Sequence, residues 1–122
     1  MSTAVTRDET PVALEGGGVE LRMKEIGGDL TVAFVHLPEG TDLGPALTGQ
    51  PDDRCQVPHW GYIFKGRLQM RTADGDEVYE EGQAFYWRPG HVPVALSDVD
   101  YMDFSPSAGF RAVVDHVRGR SG

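Results

Sequence analysis

The sequence predicts an all-β domain, a sandwich or small closed barrel, that ends in a short C-terminal α-helix. Short apolar stretches alternate with turns that contain most of the 16 glycines and eight prolines of the 122-residue chain. About eight such strands at even spacing in a small domain are typical of sandwiches and barrels. Residues 107–118 instead show a helical period, because Phe110, Val113, Val114 and Val117 fall on one face.

The individual elements follow from local patterns. Residues 1–11 are polar, and we expect a flexible tail before a single domain of residues 12–122. Strands are predicted for residues 19–25, 30–37, 59–65, 67–72, 77–80, 84–88, 92–96 and 101–105, because side chains alternate there. Glycine-rich turns such as Asp74-Gly75 separate them. Residues 38–54 form a long connection rich in Pro, Gly and Asp, which is often a feature of binding loops.

Composition excludes several classes of function. The chain has 19 acidic and 11 basic residues, a net charge of -8, which argues against nucleic acid and anionic membrane partners. No apolar run has the length of a membrane span, and Cys55 as the single cysteine cannot form an intrachain disulfide. We therefore expect a cytoplasmic protein. Phosphate-binding and dinucleotide-binding glycine motifs are absent from the sequence, so no organic cofactor is predicted.

Two segments carry a family resemblance. Residues 59–68 (HWGYIFKGRL) are a strand followed by a glycine at Gly66, and residues 82–93 (GQAFYWRPGHVP) pass from Gly82 through a Pro-Gly turn. Residues 55–93 thereby resemble the cupin superfamily of small double-sheet jelly rolls. The resemblance implies a cupin-like double-stranded β-helix, while function has to be argued from the site.

The motif positions depart from the cupin pattern, whose usual metal ligands are three histidines and one glutamate. Relative to Gly66, His59 stands at the glutamate position, and Cys55 and Asp53 stand at two histidine positions. His91 lies two residues before the position of the last histidine. The usual ligand set is therefore absent.

A different metal set remains open. Cys55, His59 and His91 would supply two nitrogen ligands and one sulfur ligand, as in catalytic zinc sites that keep an open position. We expect a divalent transition metal, zinc or else iron, nickel or manganese, with Asp53 as a further ligand or base. An extended chain separates Cys55 from His59 by about 13 Å, so residues 56–58 must bend or bulge for both to join one site. The alternative is that all three are ordinary core residues.

Five further residues are candidates for a small-molecule pocket. They are His36, Gly61, Tyr86, Arg88 and Phe104. Gly61 would leave space beside His59, the aromatic rings would form walls, and Arg88 would hold an oxyanion. Each also has a purely structural interpretation, such as core packing or pairing of Arg88 with an acidic residue.

Three functions are consistent with these features. The first is a cupin that binds a small organic molecule near a divalent metal, with metal-assisted catalysis left open. The second is a metal-free ligand-binding or sensor module, and the third is a partner-binding protein. Trp60, Tyr62 and Phe64 form the opposite face of the strand that begins at His59. Since cupins commonly associate through such a face, the resemblance implies a homodimer.

Overall fold

A computed structural model of the chain describes residues 2–121. Within that range the chain forms nine strands and two α-helices. They are β1 (Val12–Gly16), β2 (Val19–Gly27), β3 (Leu30–Leu37), α1 (Gly44–Leu47), β4 (His59–Lys65), β5 (Arg67–Thr72), β6 (Gly75–Glu80), β7 (Ala84–Trp87), β8 (Val92–Ala95), β9 (Val99–Pro106) and α2 (Ser107–Ser121). The predicted all-β class with a C-terminal helix is confirmed.

The strands form two antiparallel sheets. One has six strands in the order β1-β2-β3-β9-β4-β7, and the other has three in the order β6-β5-β8. Leu68 and Met70 of β5 are buried in the same core as Ile63 of β4 and Val99 of β9, so the two sheets pack face to face. This arrangement is the jelly roll that the sequence predicted.

Four features were not anticipated. Strand β1 pairs with β2 along the edge of the larger sheet. The connection at residues 38–54 is not structureless, because it contains helix α1 and a single 3-10 turn at Pro51–Asp53. Near the N-terminus, Thr10 is buried and its carbonyl oxygen accepts from Arg22 Nη1 of β2 at 3.0 Å. The last part of the predicted tail thus packs on the domain.

Strand β9 lies in the middle of the larger sheet and places polar side chains on its inner face. It pairs with β3 on one side and β4 on the other, so its side chains alternate strictly between buried and half-buried. Tyr101, Asp103 and Ser105 point inward with Val99. A strand in the middle of a sheet therefore carries a carboxyl and a hydroxyl into the core.

Helix α2 packs on the inner face of the larger sheet. Its stripe of Phe110, Val113 and Val114 is buried against the larger sheet, as its helical period predicted. Two side chains hold the helix in place: His116 Nε2 donates to the Thr48 carbonyl at 2.8 Å, and Arg118 Nε donates to the Ala13 carbonyl at 2.8 Å. Neither described helix has the length and apolar character of a membrane span.

Candidate metal centre

Two chain segments that are distant in sequence bring the candidate ligands together. Cys55 lies four residues before the start of β4, and His91 directly precedes β8. The two pair through an isolated antiparallel bridge, in which Cys55 N donates to His91 O at 3.0 Å and His91 N donates to Cys55 O at 3.2 Å. This backbone pairing fixes Cys55 beside His91.

The chain then bends so that Cys55 also reaches His59. A bend at Val57 interrupts the extended path, and Cys55 Sγ lies 3.6 Å from His59 Nε2. The bend that the sequence left open is therefore present. One potential ligand atom from each of Cys55, His59 and His91 lies within 4.8 Å of the other two, and all three side chains are buried.

Each imidazole is oriented through its other nitrogen. His59 Nδ1 lies 2.5 Å from Ser105 Oγ, whose own hydroxyl donates to Asp103 Oδ1 at 3.4 Å. His91 Nδ1 donates to the Arg88 carbonyl oxygen at 2.7 Å. When both Nδ1 atoms carry the proton, both Nε2 lone pairs are free, which is how protein sites commonly orient metal-binding histidines.

Burial keeps the three groups uncharged in the absence of a cation. It lowers the pKa of His59 to about 3, with a smaller contribution from neighbouring His91, and it lowers the pKa of His91 as well. Burial also raises the pKa of the Cys55 thiol to about 11. Two neutral imidazoles are ready ligands, whereas the thiol has to lose its proton to a bound cation.

The same burial argues against cysteine-based nucleophilic catalysis. Cys55 and His59 are close enough for a thiol and its base, so sequence separation does not exclude that function. A nucleophilic dyad needs an accessible thiolate stabilised by positive charge. Here the thiol pKa is raised and the imidazole pKa is lowered, so the thiolate–imidazolium pair is disfavoured.

A large cavity opens beside the three residues. It has a volume of about 690 Å³ and lies between the inner face of the larger sheet and helices α1 and α2. Cys55, His59 and His91 all line it, together with Asp103 and Phe110. The ring of Phe110 meets the ring of His59 edge-on at 5.5 Å, so the helix reaches the candidate centre itself.

Solved structures share this architecture. An RmlC-like cupin from Shewanella frigidimarina is 16% identical with a TM-score of 0.60, over 87% of this chain and 95% of that one. KdgF from Halomonas sp. is 22% identical with a TM-score of 0.59, over 87% and 93% of the two chains. A variant of oxalate decarboxylase from Bacillus subtilis is 15% identical with a TM-score of 0.58, over 87% of this chain and 30% of that one.

The chain has the cupin fold. No protein-family model and no curated protein matches the sequence. The structural relatives thus establish the architecture, and the chemistry of this chain has to be derived from its own residues.

The structure places none of the five predicted pocket residues among those that line the cavity. His36 is half-buried on the other face of β3, where its Nδ1 lies 2.8 Å from Asp100 Oδ1. Arg88 is exposed and donates to Asp74 at 3.0 Å, so it contributes its carbonyl to the site and not its guanidinium. Tyr86 is 52% exposed and stacks on Trp60.

Phe104 and Gly61 also have structural positions. Phe104 lies opposite Trp60 in the β4–β9 register, on the outer face of the sheet. Gly61 does face inward, but a Cβ there would lie 2.0 Å from the Met102 carbonyl oxygen and 2.6 Å from Phe85 Cζ. Close strand packing, not space for a ligand, therefore explains the glycine.

The carboxylate next to the centre is not the one that the sequence suggested. Asp53 is exposed, and its Oδ1 accepts from the Gly49 backbone at 2.9 Å. Asp103 is buried instead, with Oδ2 3.8 Å from His59 Nδ1, and burial raises its pKa to about 7. Asp103 and Ser105 are polar residues at alternate positions of β9. This pattern in the sequence could have identified them as part of the site.

Proposed function

We propose that this cupin binds a divalent transition metal through Cys55, His59 and His91 and binds a small organic molecule in the adjoining cavity. The observation that carries the proposal is the convergence of one sulfur and two imidazole nitrogens within 4.8 Å at the wall of a cavity of about 690 Å³. Three protein ligands leave a coordination position for a molecule from the cavity. A reaction, if the protein catalyses one, would be metal-assisted.

The donor atoms favour particular metals. Imidazole suits zinc, iron and nickel, and thiolate suits zinc in particular, whereas manganese prefers oxygen ligands. Zinc therefore fits this set best among the metals that the sequence left open. The carboxyl of Asp103 lies behind His59, on its Nδ1 side, so it supports the ligand and is not the fourth one.

Elemental analysis tests the metal assignment. Protein purified without chelator and without a nickel column should contain about one equivalent of a transition metal per chain. His59→Ala should lose the metal while His116→Ala retains it, because His116 donates to Thr48 outside the centre. Absence of metal in the wild type, with no uptake on titration, would refute the assignment.

The cavity also supports the second function, a metal-free ligand-binding or sensor module. Its volume falls within the range of about 300–1,000 Å³ that is typical of small-molecule sites. A ligand that raises the melting temperature equally in chelator and in metal would favour this alternative. A ligand that stabilises only the metal-loaded protein would favour the metal-dependent function.

We also propose that the protein is a homodimer formed through the outer face of the larger sheet. Trp60, Tyr62, Phe64 and Tyr86 are 46%, 40%, 54% and 52% exposed on adjacent strands, and Trp60 and Tyr86 stack at 5.2 Å. A contiguous aromatic patch of this kind is unusual on the surface of a monomer.

Sedimentation equilibrium tests the dimer with a matched pair of variants. Trp60→Lys should convert the dimer to a monomer, because it places a charge in the aromatic patch. Val78→Lys, at a residue that is 45% exposed on the smaller sheet, should leave the dimer intact. A monomeric wild-type protein at micromolar concentration would contradict the proposal.

A further inference from the structure

The cavity wall differs in character from its metal-binding end. The polar side chains that line the interior are those of the centre and its neighbours Asp103, Tyr101 and Trp87, whose buried indole N–H has no hydrogen-bond partner. Away from that end, the wall consists of aliphatic side chains from β1–β3, α1 and α2. Examples are Leu21, Val35, Leu37, Leu47 and Val114. The two remaining charged residues in the lining, Glu15 and Arg118, have exposed side chains at the rim.

This distribution restricts what the cavity accepts. A polyhydroxylated or doubly charged molecule would bury hydroxyl or carboxylate groups against leucine and valine, where no donor or acceptor satisfies them. Arg118 does not compensate for this within the aliphatic part, because its side chain is 52% exposed at the rim, where Nε donates to the Ala13 carbonyl and Nη1 lies 3.6 Å from Asp115 Oδ1. A molecule with one polar end would instead place that end at the centre and its apolar part against the aliphatic wall.

Helix α2 makes the wall continuous. Phe110 contacts His59, and Val113, Val114 and Val117 extend the lining along the same face of the helix. The separation of polar and apolar surface therefore runs the length of the cavity, from Cys55 and the histidines toward the rim. A volume of about 690 Å³ exceeds what a very small anion would fill.

We propose that the ligand of this cavity is a predominantly aliphatic molecule that carries a single oxygen-bearing group, with that group at the Cys55–His59–His91 end. The inference rests on the proposed function for the position of the oxygen-bearing group. The aliphatic class follows from the wall alone, so the two parts are tested separately.

Calorimetric titration with straight-chain monocarboxylates tests the class. For butanoate, hexanoate, octanoate and decanoate, the dissociation constant should fall about fourfold per added methylene until the cavity is full. Octanedioate should bind at least about tenfold more weakly than octanoate, because its second carboxylate enters the aliphatic part. An affinity that does not depend on chain length, or octanedioate binding as tightly as octanoate, would overturn the proposal.

A matched pair of alanine variants tests the location. Ala46 lines the cavity on α1, whereas Ala112 is exposed on α2. Ala46→Leu should change the dissociation constant of decanoate at least about fourfold and leave that of butanoate unchanged, because the larger side chain occupies aliphatic space that only the longer ligand reaches. Ala112→Leu should leave both unchanged. Equal effects of the two variants on decanoate would refute binding in this cavity.

Repeating the series on His59→Ala separates this proposal from the metal assignment. The chain-length dependence should persist in that variant, because the aliphatic wall is intact, while every member of the series binds more weakly by a common factor. Wild-type protein that takes up no metal on titration and still shows the chain-length dependence would refute the metal centre alone. Metal-loaded protein without the dependence would refute the aliphatic class alone.

Discussion

Replacement of Ser105 by alanine should weaken metal binding without removing any ligand. The Ser105 hydroxyl lies 2.5 Å from His59 Nδ1, and the residue is fully buried. Without it the imidazole loses the group that fixes its orientation, and the alternative acceptor, Asp103 Oδ2, is 3.8 Å away. Loss of such an orienting partner typically reduces metal affinity by about 10- to 100-fold.

The same change should also destabilise the fold. A buried imidazole N–H without an acceptor costs about 1–3 kcal/mol. Urea denaturation in chelator measures this cost, and zinc titration against a competing chelator measures the change in affinity. The absorption of the cobalt-substituted protein supplies an independent signal, because the thiolate-to-cobalt band reports the coordination of Cys55.

Ser107→Ala is the matched control. Its hydroxyl pairs with Thr31 Oγ1 at 2.7 Å, so the variant loses a hydrogen bond at the end of the same strand but none at the centre. We expect reduced stability and unchanged zinc affinity for this control. If Ser105→Ala binds zinc as tightly as Ser107→Ala does, Ser105 has no orienting role and the reasoning fails.

Two further predictions concern stability. Metal-free protein should lose stability as the pH falls below about 6.5. His59 should contribute about 1.4 kcal/mol per pH unit, because the unfolded chain takes up a proton that neutral His59, with its pKa of about 3, does not. The lowered pKa of His91 acts in the same direction. Asp103 opposes this, since its raised pKa of about 7 makes the native state hold a proton that the unfolded state has lost above its ordinary value of 3.8. Asp103→Asn should therefore steepen the acid loss, as urea midpoints between pH 4 and pH 7 would show, and an unchanged slope would contradict the assignment. Gly61→Ala should lower the free energy of unfolding by about 1–3 kcal/mol, because the added Cβ would clash with the Met102 carbonyl oxygen. Gly119→Ala lies in open space on α2, so it should raise the free energy of unfolding by as much as about 1 kcal/mol in the same urea assay. Equal urea midpoints for the two alanine variants would contradict the packing argument for Gly61.

Local sequence patterns predicted most of the fold. The period of two located β2 to β9 to within a few residues, and the helical stripe located α2. Strand β1 was missed because its five residues, VALEG, are short and end in glycine. The spacing of His59 from Gly66 also identified the position at which a cupin holds a ligand, and the structure places His59 at the cavity wall.

The sequence did not determine which side chains point inward where both faces of a strand carry apolar residues. Strand β7 reads Ala-Phe-Tyr-Trp, and alternation alone does not indicate whether Phe85 and Trp87 or Tyr86 point inward. Pairing with β4 decides it, since His59 lies opposite Trp87 and Trp60 lies opposite Tyr86. The prediction of Tyr86 as a pocket residue depended on that undetermined choice. The prediction of Phe104 depended on the corresponding choice for β9, in which Tyr101 and Phe104 lie on opposite faces.

The sequence by itself determined the strands, the C-terminal helix and the residue types available for a metal centre, because these depend on short-range periodicity and on chemistry. Tertiary structure decided which of those residues meet. The bridge between Cys55 and His91 joins positions 36 residues apart, and the chain between them contains four strands. Such pairing depends on how whole sheets pack, so no local pattern predicts it. It is this pairing, with the bend at Val57, that turns a cysteine and two histidines into a candidate centre.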